Sequence, residues 1–424
     1  MRLALGCLAL GFMFLGCGSS GGDADEDNGS GGTSAGGGKA GTGATTGKGG
    51  TSPGTGGTSA SGGKAGAGGT GTAPIPGGPF PFPQNKTSGM CGITTYANAS
   101  AAVQTVYTYW KTNFVVQAGA GLRVVRNTNN NDTVSEGIAY GMLIAVYMND
   151  RPAFDGFWTY AKAHADSFGF MNWKINADGT TASDGAGSAA DADEDMAWAL
   201  IMASAQWQSG SYLDDAKKLI NGMSTYMLAS DGLLLPGDGW GTASDRTFPD
   251  YFSPAYFRVF AEVSGNRNWS GIYLDKNYEI LAAVSGTYGL VPDSTTRSLM
   301  HMGAYGYDAC RTPWRIAMDY CFNGEPRAEA YLAKVVPFFA NQGVANIGDG
   351  YSLTGSKTSS YPNMAFIGPA GVGAMYKPEY SGLLNDAFTY GATGTGGTTP
   401  YYQQTLRVIT MLMMSGNFLD FTKP

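Results

Sequence analysis

Four acidic residues stand within five positions of the chain and run directly into an apolar stretch with helical spacing. They are Asp191, Asp193, Glu194 and Asp195, in the segment 188–207. Acids at a helix start have an ordinary explanation, because they cap free N–H groups and interact with the positive end of the helix dipole. Carboxyl groups can also donate or accept protons in catalysis. Further acids in the same place would favour the catalytic interpretation.

Two more acids begin predicted helices elsewhere in the chain. Glu136 lies in Ser135-Glu-Gly-Ile-Ala-Tyr-Gly-Met142, and Asp308 lies in Tyr307-Asp-Ala-Cys-Arg-Thr-Pro-Trp-Arg315. Each also fits a structural role, because Thr133 with Glu136 matches a capping box and Asp308 can cap its helix while pairing with Arg311. The sequence therefore has three separate sources of carboxylates at helix starts.

The elements that must position these acids are helices. Periodicity and stop signals predict twelve of them and no strand ladder. Their expected ranges are Asn98–Asn113, Glu136–Asn149, Ala153–Ala165, Ala192–Gln208, Leu213–Leu228, Pro254–Val263, Gly271–Val284, Asp308–Phe322, Arg327–Asn341, Pro362–Met375, Tyr380–Thr389 and Tyr401–Met414.

The connections between these helices alternate in length. Those entering the even-numbered helices are long and rich in Gly, Asp, Trp and Tyr, while most of those entering the odd-numbered ones are short. Because short connections favour antiparallel neighbours, all even-numbered helices should point the same way. The three sources of carboxylates are then expected to meet at one end of a single large all-α domain.

The loops at that end are also rich in aromatic residues, which capping does not predict. They are Trp173, Trp240, Tyr251, Tyr256, Tyr307, Tyr361, Tyr401 and Tyr402. Aromatic rings stack on the apolar faces of sugars, whose hydroxyls need charged or amide partners. Rings beside carboxylates therefore favour a sugar polymer as ligand, although such rings also serve simply to anchor loops.

The fourth predicted helix resembles the signature of glycoside hydrolase family 8. The matching positions are Ala189, Asp191, Ala192, Asp193, Met196, Ala197, Ala199, Leu200, Ile201, Ala203 and Trp207. The run 135–142 is similar to the family's motif around its proton donor, and 307–315 is similar to the segment with its catalytic base. The chain departs from the family at Ala190, where the family has a hydroxyl residue that could orient Asp191 by a hydrogen bond. The resemblance spans the chain from about Pro81 to Pro424.

That resemblance implies an (α/α)6 barrel, with six inner and six outer helices, that hydrolyses β-1,4-linked glycans with inversion. It implies that Glu136 is the general acid, that Asp308 is the base and that Asp191 holds the sugar at the cleavage point. The charge of Asp191 is expected to raise the pKa of Glu136, and Arg311 and Arg315 are expected to keep Asp308 ionised. The residues expected to contact substrate are Trp173, Tyr256, Tyr307, Arg311, Arg315 and Tyr361.

Composition excludes several other classes. A formal charge of −7 with no basic cluster disfavours nucleic acid. His164 and His301 are the only histidines, which excludes a His-rich zinc site and disfavours a Ser-His-Asp triad. No metal or cofactor is predicted. The preferred activity is that of an endo-β-1,4-glucanase of the cellulase or lichenase type; the alternatives are a xylanase, a chitosanase or a non-catalytic glycan-binding surface protein.

The N-terminal part of the chain is interpreted as a targeting signal followed by a flexible linker. Arg2 precedes an apolar run too short to span a bilayer, and Leu15-Gly16-Cys17 resembles the end of a bacterial lipobox despite Phe14. Residues 1–17 are therefore predicted to be a signal peptide with Cys17 as the lipid anchor, a plain secretion signal being the alternative. Residues 18–80 read as a flexible linker and residues 81–424 as the catalytic domain, exported, monomeric and touching membrane only through its lipid.

The remaining cysteines allow one disulfide in an oxidising compartment. Cys310 and Cys321 are eleven positions apart in one predicted helix, too far to bridge each other. Cys91 could pair with either of them.

Overall fold

The computed structural model describes residues 72–240, 244–394 and 400–423, and these form twelve α-helices. In chain order, α1 to α12 are Ala99–Phe114, Ser135–Tyr147, Arg151–Ala163, Ala190–Gln206, Gly210–Tyr226, Pro254–Ser264, Leu274–Val284, Thr312–Asn323, Pro326–Gln342, Met364–Gly373, Ser381–Thr393 and Tyr401–Met414. The twelve helices predicted from periodicity all occur, with ends displaced by a few residues.

The helices divide into two kinds by the distribution of their apolar residues. Odd-numbered helices are amphipathic; in α1 the buried positions Val103, Val106, Trp110 and Phe114 recur every three or four residues. Even-numbered helices are buried over most of their surface, and every residue of α4 and α10 is buried. A helix that is buried on all sides is surrounded by protein, so the even-numbered helices form an inner layer.

The inner helices close into a ring. Helix α2 contacts α4 and α12, α8 contacts α6 and α10, and α10 contacts α12. The ring is completed where Trp198 of α4 stacks on Tyr256 of α6, with ring centroids 4.3 Å apart. The odd-numbered helices pack outside, as α5 does against α4 and α9 does against α8. This is the predicted (α/α)6 barrel, and its inner helices begin at one common end.

The expectation that no strands pair was wrong. The described residues also contain seven short strands, β1 to β7, at Val115–Ala118, Gly121–Val124, Thr133–Val134, Lys174–Ile175, Arg246–Thr247, Ser294–Thr296 and His301–Met302. They form the antiparallel pairs β1–β2 and β3–β4 and the three-stranded sheet β5–β6–β7. Strands of two to four residues are too short to produce a period-two pattern in the sequence.

The folded domain begins before residue 81, the predicted boundary. Ile75 and Phe80 pack against the core, and the Phe80 N–H donates to Gln206 Oε1 over 2.6 Å. The Ile75 N–H donates to Ser204 Oγ over 3.2 Å. The last part of the segment predicted to be a linker therefore lies along the end of α4. Cys17, the rest of the predicted signal peptide and most of the predicted linker lie outside the described residues.

A disulfide joins Cys91 to Cys321, which answers the question left open by the sequence. Cys310 is free and buried. The bond ties the segment before α1 to the C-terminal part of α8. In the part of the chain that the structure covers, no helix has the length and apolar character needed to cross a bilayer.

Candidate active site

A single buried guanidinium, that of Arg311, lies at the centre of the common end of the barrel. Its Nη1 lies 2.5 Å from Glu136 Oε2 and 2.6 Å from Asp191 Oδ2. Its Nη2 pairs with Asp250 and lies 3.4 Å from Asp308 Oδ1. The three acids singled out from the sequence therefore meet around one cation.

Glu136 stands in the first turn of α2 but does not cap it. The helix has no side-chain cap, and the Thr133 hydroxyl donates instead to the Val124 carbonyl over 2.8 Å, so the capping box is absent. The carboxyl accepts a hydrogen bond from the Tyr401 hydroxyl over 2.8 Å. Burial raises the pKa of Glu136 to about 7, with Arg311 and Tyr401 opposing the rise and Asp191 adding to it. At neutral pH this carboxyl is thus partly protonated, as a proton donor must be.

Asp308 lies just before the 3₁₀ turn Ala309–Arg311 that leads into α8, and its side chain makes no capping hydrogen bond. Its side chain is 46% exposed, far more than those of the other acids around Arg311. Partial burial raises the pKa of Asp308 to about 6, and Arg311 lowers it. The group is therefore ionised at neutral pH and open to a water molecule.

Asp191 is buried in the first turn of α4, which also has no side-chain cap. One of its oxygens contacts Arg311, while Oδ1 is buried without a hydrogen-bond partner. A buried acceptor without a partner is costly, so it offers a strong place for a ligand hydroxyl. The structural alternative for these three acids, helix capping, is wrong.

Asp250 is a member of the cluster that the sequence analysis missed. It lies in the 3₁₀ turn Pro249–Tyr251, directly before α6, and is completely buried against Arg311. Burial raises the pKa of Asp250 well above its usual range, and Arg311 opposes the rise. The signal available was its position close to the start of an even-numbered helix, where the other acids also lie.

Two residues predicted to contact substrate lie in the core instead. Tyr256 is 1% exposed and stacks on Trp198, so its ring has no face available for a sugar. Arg315 is equally buried and pairs with Asp195, through Nη2 over 2.7 Å, rather than with Asp308. Both predictions were wrong because Tyr256 on α6 and Arg315 on α8 lie on inner helices whose residues are mostly buried, a property that spacing does not reveal. Arg311 is also 1% exposed and contacts carboxylates rather than an open surface.

The other predicted contact residues lie where a ligand could reach them. Tyr307 is 43% exposed, and its hydroxyl donates to Asp349 Oδ2 over 2.8 Å. Tyr361 is 52% exposed. Trp173 is half-buried, and its carbonyl accepts the N–H of Ser135, the residue before Glu136, over 2.9 Å. Tyr307 directly precedes Asp308, and the Tyr361 N–H donates over 3.3 Å to Asp349, which Tyr307 also contacts. The three rings come from separate loops.

The site combines a carboxyl that is partly protonated at neutral pH, Glu136, with an ionised and more exposed one, Asp308, and both contact one guanidinium. A pair of this kind can protonate a leaving oxygen and activate water for its displacement, which is the chemistry of glycoside hydrolysis. Across the described ranges, no group of three or more His, Cys, Asp or Glu side chains could hold a metal ion. Six inner and six outer helices with this acid pair at one end define a glycoside hydrolase.

Comparisons with known proteins give its family. The model of the glycosyl hydrolases family 8 matches residues 80–416, and the chain belongs to this family. It is 37% identical to "Endoglucanase A" of Acetivibrio thermocellus over 348 residues, which are 76% of this chain and 70% of that protein. A "Reducing end xylose-releasing exo-oligoxylanase" of Halalkalibacterium halodurans is 25% identical over 73% of this chain and 86% of its own length.

A solved structure agrees with these relatives. That of the beta-1,3-1,4-glucanase from Paenibacillus sp. X4 is similar with a TM-score of 0.73 and 32% identity. The similarity covers 80% of this chain and 98% of that one.

Proposed function

We propose that the protein hydrolyses internal β-1,4-glycosidic bonds of a β-glucan, cellulose or mixed-linkage glucan, with inversion at the anomeric carbon. The observation that carries the proposal is the attachment of Glu136, Asp191 and Asp308 to one buried guanidinium, Arg311. Inverting enzymes keep their two carboxyl groups about 6.5–9.5 Å apart, to leave room for water. Two acids on opposite nitrogens of one guanidinium are compatible with that spacing.

The reaction needs one proton to leave the protein and one to return. Glu136 gives its proton to the oxygen of the bond that breaks, while Asp308 takes a proton from the water whose oxygen attacks the anomeric carbon. Asp191, through its unpartnered Oδ1, accepts a hydrogen bond from a hydroxyl of the sugar being cleaved. The exposed rings of Tyr307 and Tyr361, with Trp173, stack on neighbouring sugars.

The glucan is preferred over xylan because identity is higher to the endoglucanase, 37%, than to the exo-oligoxylanase, 25%. The two sugars differ by one hydroxymethyl group, for which a pocket discriminates only modestly. A chitosanase and a non-catalytic glycan-binding protein remain less favoured, the second because all three acids are in place.

The deciding experiment incubates the purified protein with carboxymethylcellulose, mixed-linkage glucan, xylan and chitosan, and follows reducing ends and product size. We expect rapid loss of viscosity with the glucans and slower or no release from xylan. Proton NMR should show the α-anomer first. A faster rate on xylan or chitosan would show that this glycan, rather than a β-glucan, is the substrate. A β-anomer appearing first would exclude inversion.

We further propose that the protein is exported, monomeric and held to a membrane by a lipid on Cys17. The short apolar run ending in Leu15-Gly16-Cys17 supports this, as does the Cys91–Cys321 disulfide, because such bonds persist in oxidising compartments. Cys17→Ala should move the protein from the membrane fraction to the soluble fraction, whereas Cys310→Ala should not. Equal membrane partition of both variants would contradict the lipid anchor.

A further inference from the structure

The turn that presents Asp308 is fastened by a carboxylate from a different part of the chain, Asp293. This residue directly precedes β6. Its Oδ1 accepts the N–H of Gly306 over 3.0 Å and the N–H of Ala309 over 3.1 Å. The two donors stand on either side of Asp308, two positions before it and one after it. The side chain of Asp308 itself makes no capping hydrogen bond in this turn.

The hydrogen bonds of Asp293 leave the turn around Asp308 little freedom to move. The Asp293 N–H donates to the Ala304 carbonyl over 2.8 Å. The backbone of Asp293 therefore holds the residues that lead into the turn, while its side chain holds the turn itself. At Gly306 a side chain would not fit, because a Cβ there would lie 2.6 Å from Asp293 Oδ2. Asp293 is itself fixed by β6, which pairs with both β5 and β7. The small sheet therefore holds the turn from outside the helical barrel.

We propose that Asp293 is a positioning residue for the base: its carboxylate fixes the turn 306–309 and thereby the direction in which Asp308 meets water. This inference rests on the proposed function, in which Asp308 is the base. Asp293 itself need not touch substrate, since it acts through two backbone N–H groups. A base displaced by about 1 Å can cost roughly a hundredfold in rate, so such an anchor matters for turnover.

The negative charge of Asp293 has a second effect, which can be tested separately from its hydrogen bonds to the turn. The charged groups that act on Asp308 are Arg311, Asp293, Asp191, Arg246, Asp250 and Glu136. Arg246 stands on β5, and its guanidinium lies 3.2 Å from the hydroxyl of Ser294, the neighbour of Asp293. The negative charge of Asp293 raises the pKa of Asp308, while Arg246 lowers it. Arg246 and Asp293 therefore shift the pKa of Asp308 in opposite directions, from β5 and from the position just before the neighbouring strand β6.

Two substitutions separate the anchor from the charge. Asp293→Asn keeps an oxygen that can accept from Gly306 and Ala309 but removes the charge. The pKa of Asp308 should then fall, so the acid limb of the profile of kcat/KM against pH moves to lower pH. Asp293→Ala removes the acceptor, and kcat should drop roughly tenfold or more, with KM within about twofold, because Asp308 contributes little to holding the sugar in the ground state.

The matched control is Asp275→Asn, the same change on the outer helix α7, where the carboxylate pairs with Arg327. Its kcat and pH profile should equal those of the wild type. Asp293→Asn should retain clearly more kcat than Asp293→Ala, which a role in stability alone does not require when both variants are assayed folded. Thermal melts of all variants establish that they are folded.

Two results would overturn the positioning proposal: wild-type kcat in Asp293→Ala, and equal kcat in the Asn and Ala variants. An acid limb of Asp293→Asn that coincides with that of the control would overturn the charge effect. If Asp293→Ala does not fold, the kcat of Asp293→Asn at its optimal pH decides: a value close to that of the wild type supports the anchor, and a loss of roughly tenfold or more overturns it. A wild-type protein inactive on every glycan would instead refute the proposed function, so the two failures are distinguishable.

Discussion

Arg311 makes the carboxylate cluster physically tolerable. Four acids packed together without a cation would repel each other, and most would take up protons to relieve the repulsion. The guanidinium lowers the pKa of Glu136 and of Asp308, while burial raises both. The result is a pKa of about 7 for Glu136 and of about 6 for Asp308, so that at pH 7 the first carboxyl is partly protonated and the second is mostly ionised. That difference fits the proposed roles of acid and base.

Replacement of Glu136 by Gln should abolish turnover without unfolding the protein. The amide has nearly the same shape but no proton to give the leaving oxygen, so kcat should fall by about 10²–10⁴-fold. Initial rates on mixed-linkage glucan, with thermal melts and glycan binding, measure this. Glu279→Gln, on an outer helix beside Lys276, is the matched control and should retain full activity. Substantial turnover by the Glu136 variant would show that Glu136 is not the general acid.

The rate should depend on pH as a narrow bell. Asp308 must be ionised, so activity is lost as pH falls through about 6, and Glu136 must be protonated, so activity is lost as pH rises through about 7. The two limbs belong to the coupled pair. In Asp191→Asn the charge that raises the pKa of Glu136 is gone, so the alkaline limb should move to lower pH. A limb that stays in place would show that Asp191 does not act on Glu136.

At the scale of residues, the sequence predicted the acids better than the side chains around them. Glu136 and Asp308 were recognisable because each begins a helix within a recognisable motif. Tyr256 and Arg315 were misassigned because exposure depends on which helix lies opposite, here α4 with Trp198 and Asp195. Asp250 has no motif around it, and only the barrel brings it to Arg311.

At the scale of elements, close approach of the inner helices depends on small residues. Helix α10 carries Gly368 where α12 presents Thr410, and a Cβ at that glycine would lie 2.9 Å from Thr410 Cβ. A Cβ added at Gly371 of the same helix would lie 2.6 Å from the Cβ of Ala387 on α11. The glycines thus set the spacing between α10 and its neighbours, and with it the position of the loops before α10 and α12.

Gly368→Ala should therefore destabilise the fold, by about 1–3 kcal/mol, because overpacking forces the helices apart. Gly382→Ala offers a matched control on α11, where nothing lies within 4 Å of an added Cβ. There the same change should be neutral or should stabilise by up to about 1 kcal/mol through helix propensity. Denaturant unfolding of both variants measures the difference; equal stabilities would contradict the close packing of α10 and α12.

The helices were predictable as elements because each is long enough to show its period, and alternating loop lengths predicted their common direction. The small strands were not, since two to four residues carry no such pattern. The sheet β5–β6–β7 was missed for this reason, and with it the anchoring of the turn before α8 by Asp293.

At the scale of the molecule, a net charge of −7 and the exposed rings at one end suit a neutral polymer rather than a polyanion. The domain boundary was displaced because Ile75 and Phe80 are isolated apolar residues among Gly and Pro. Only their contacts with α4 show that they belong to the folded domain.

The Cys91–Cys321 disulfide closes a loop of 230 residues and should stabilise the whole domain, because it restricts the unfolded chain. Joint replacement of Cys91 and Cys321 by Ala should lower the free energy of unfolding by about 2–5 kcal/mol. Activity per folded molecule should persist, since Cys321 and Arg311 lie towards opposite ends of α8. Reductant added during a thermal melt should lower the Tm of the wild type and leave the double variant unchanged. A wild-type Tm insensitive to reductant would show that the bond contributes little to stability.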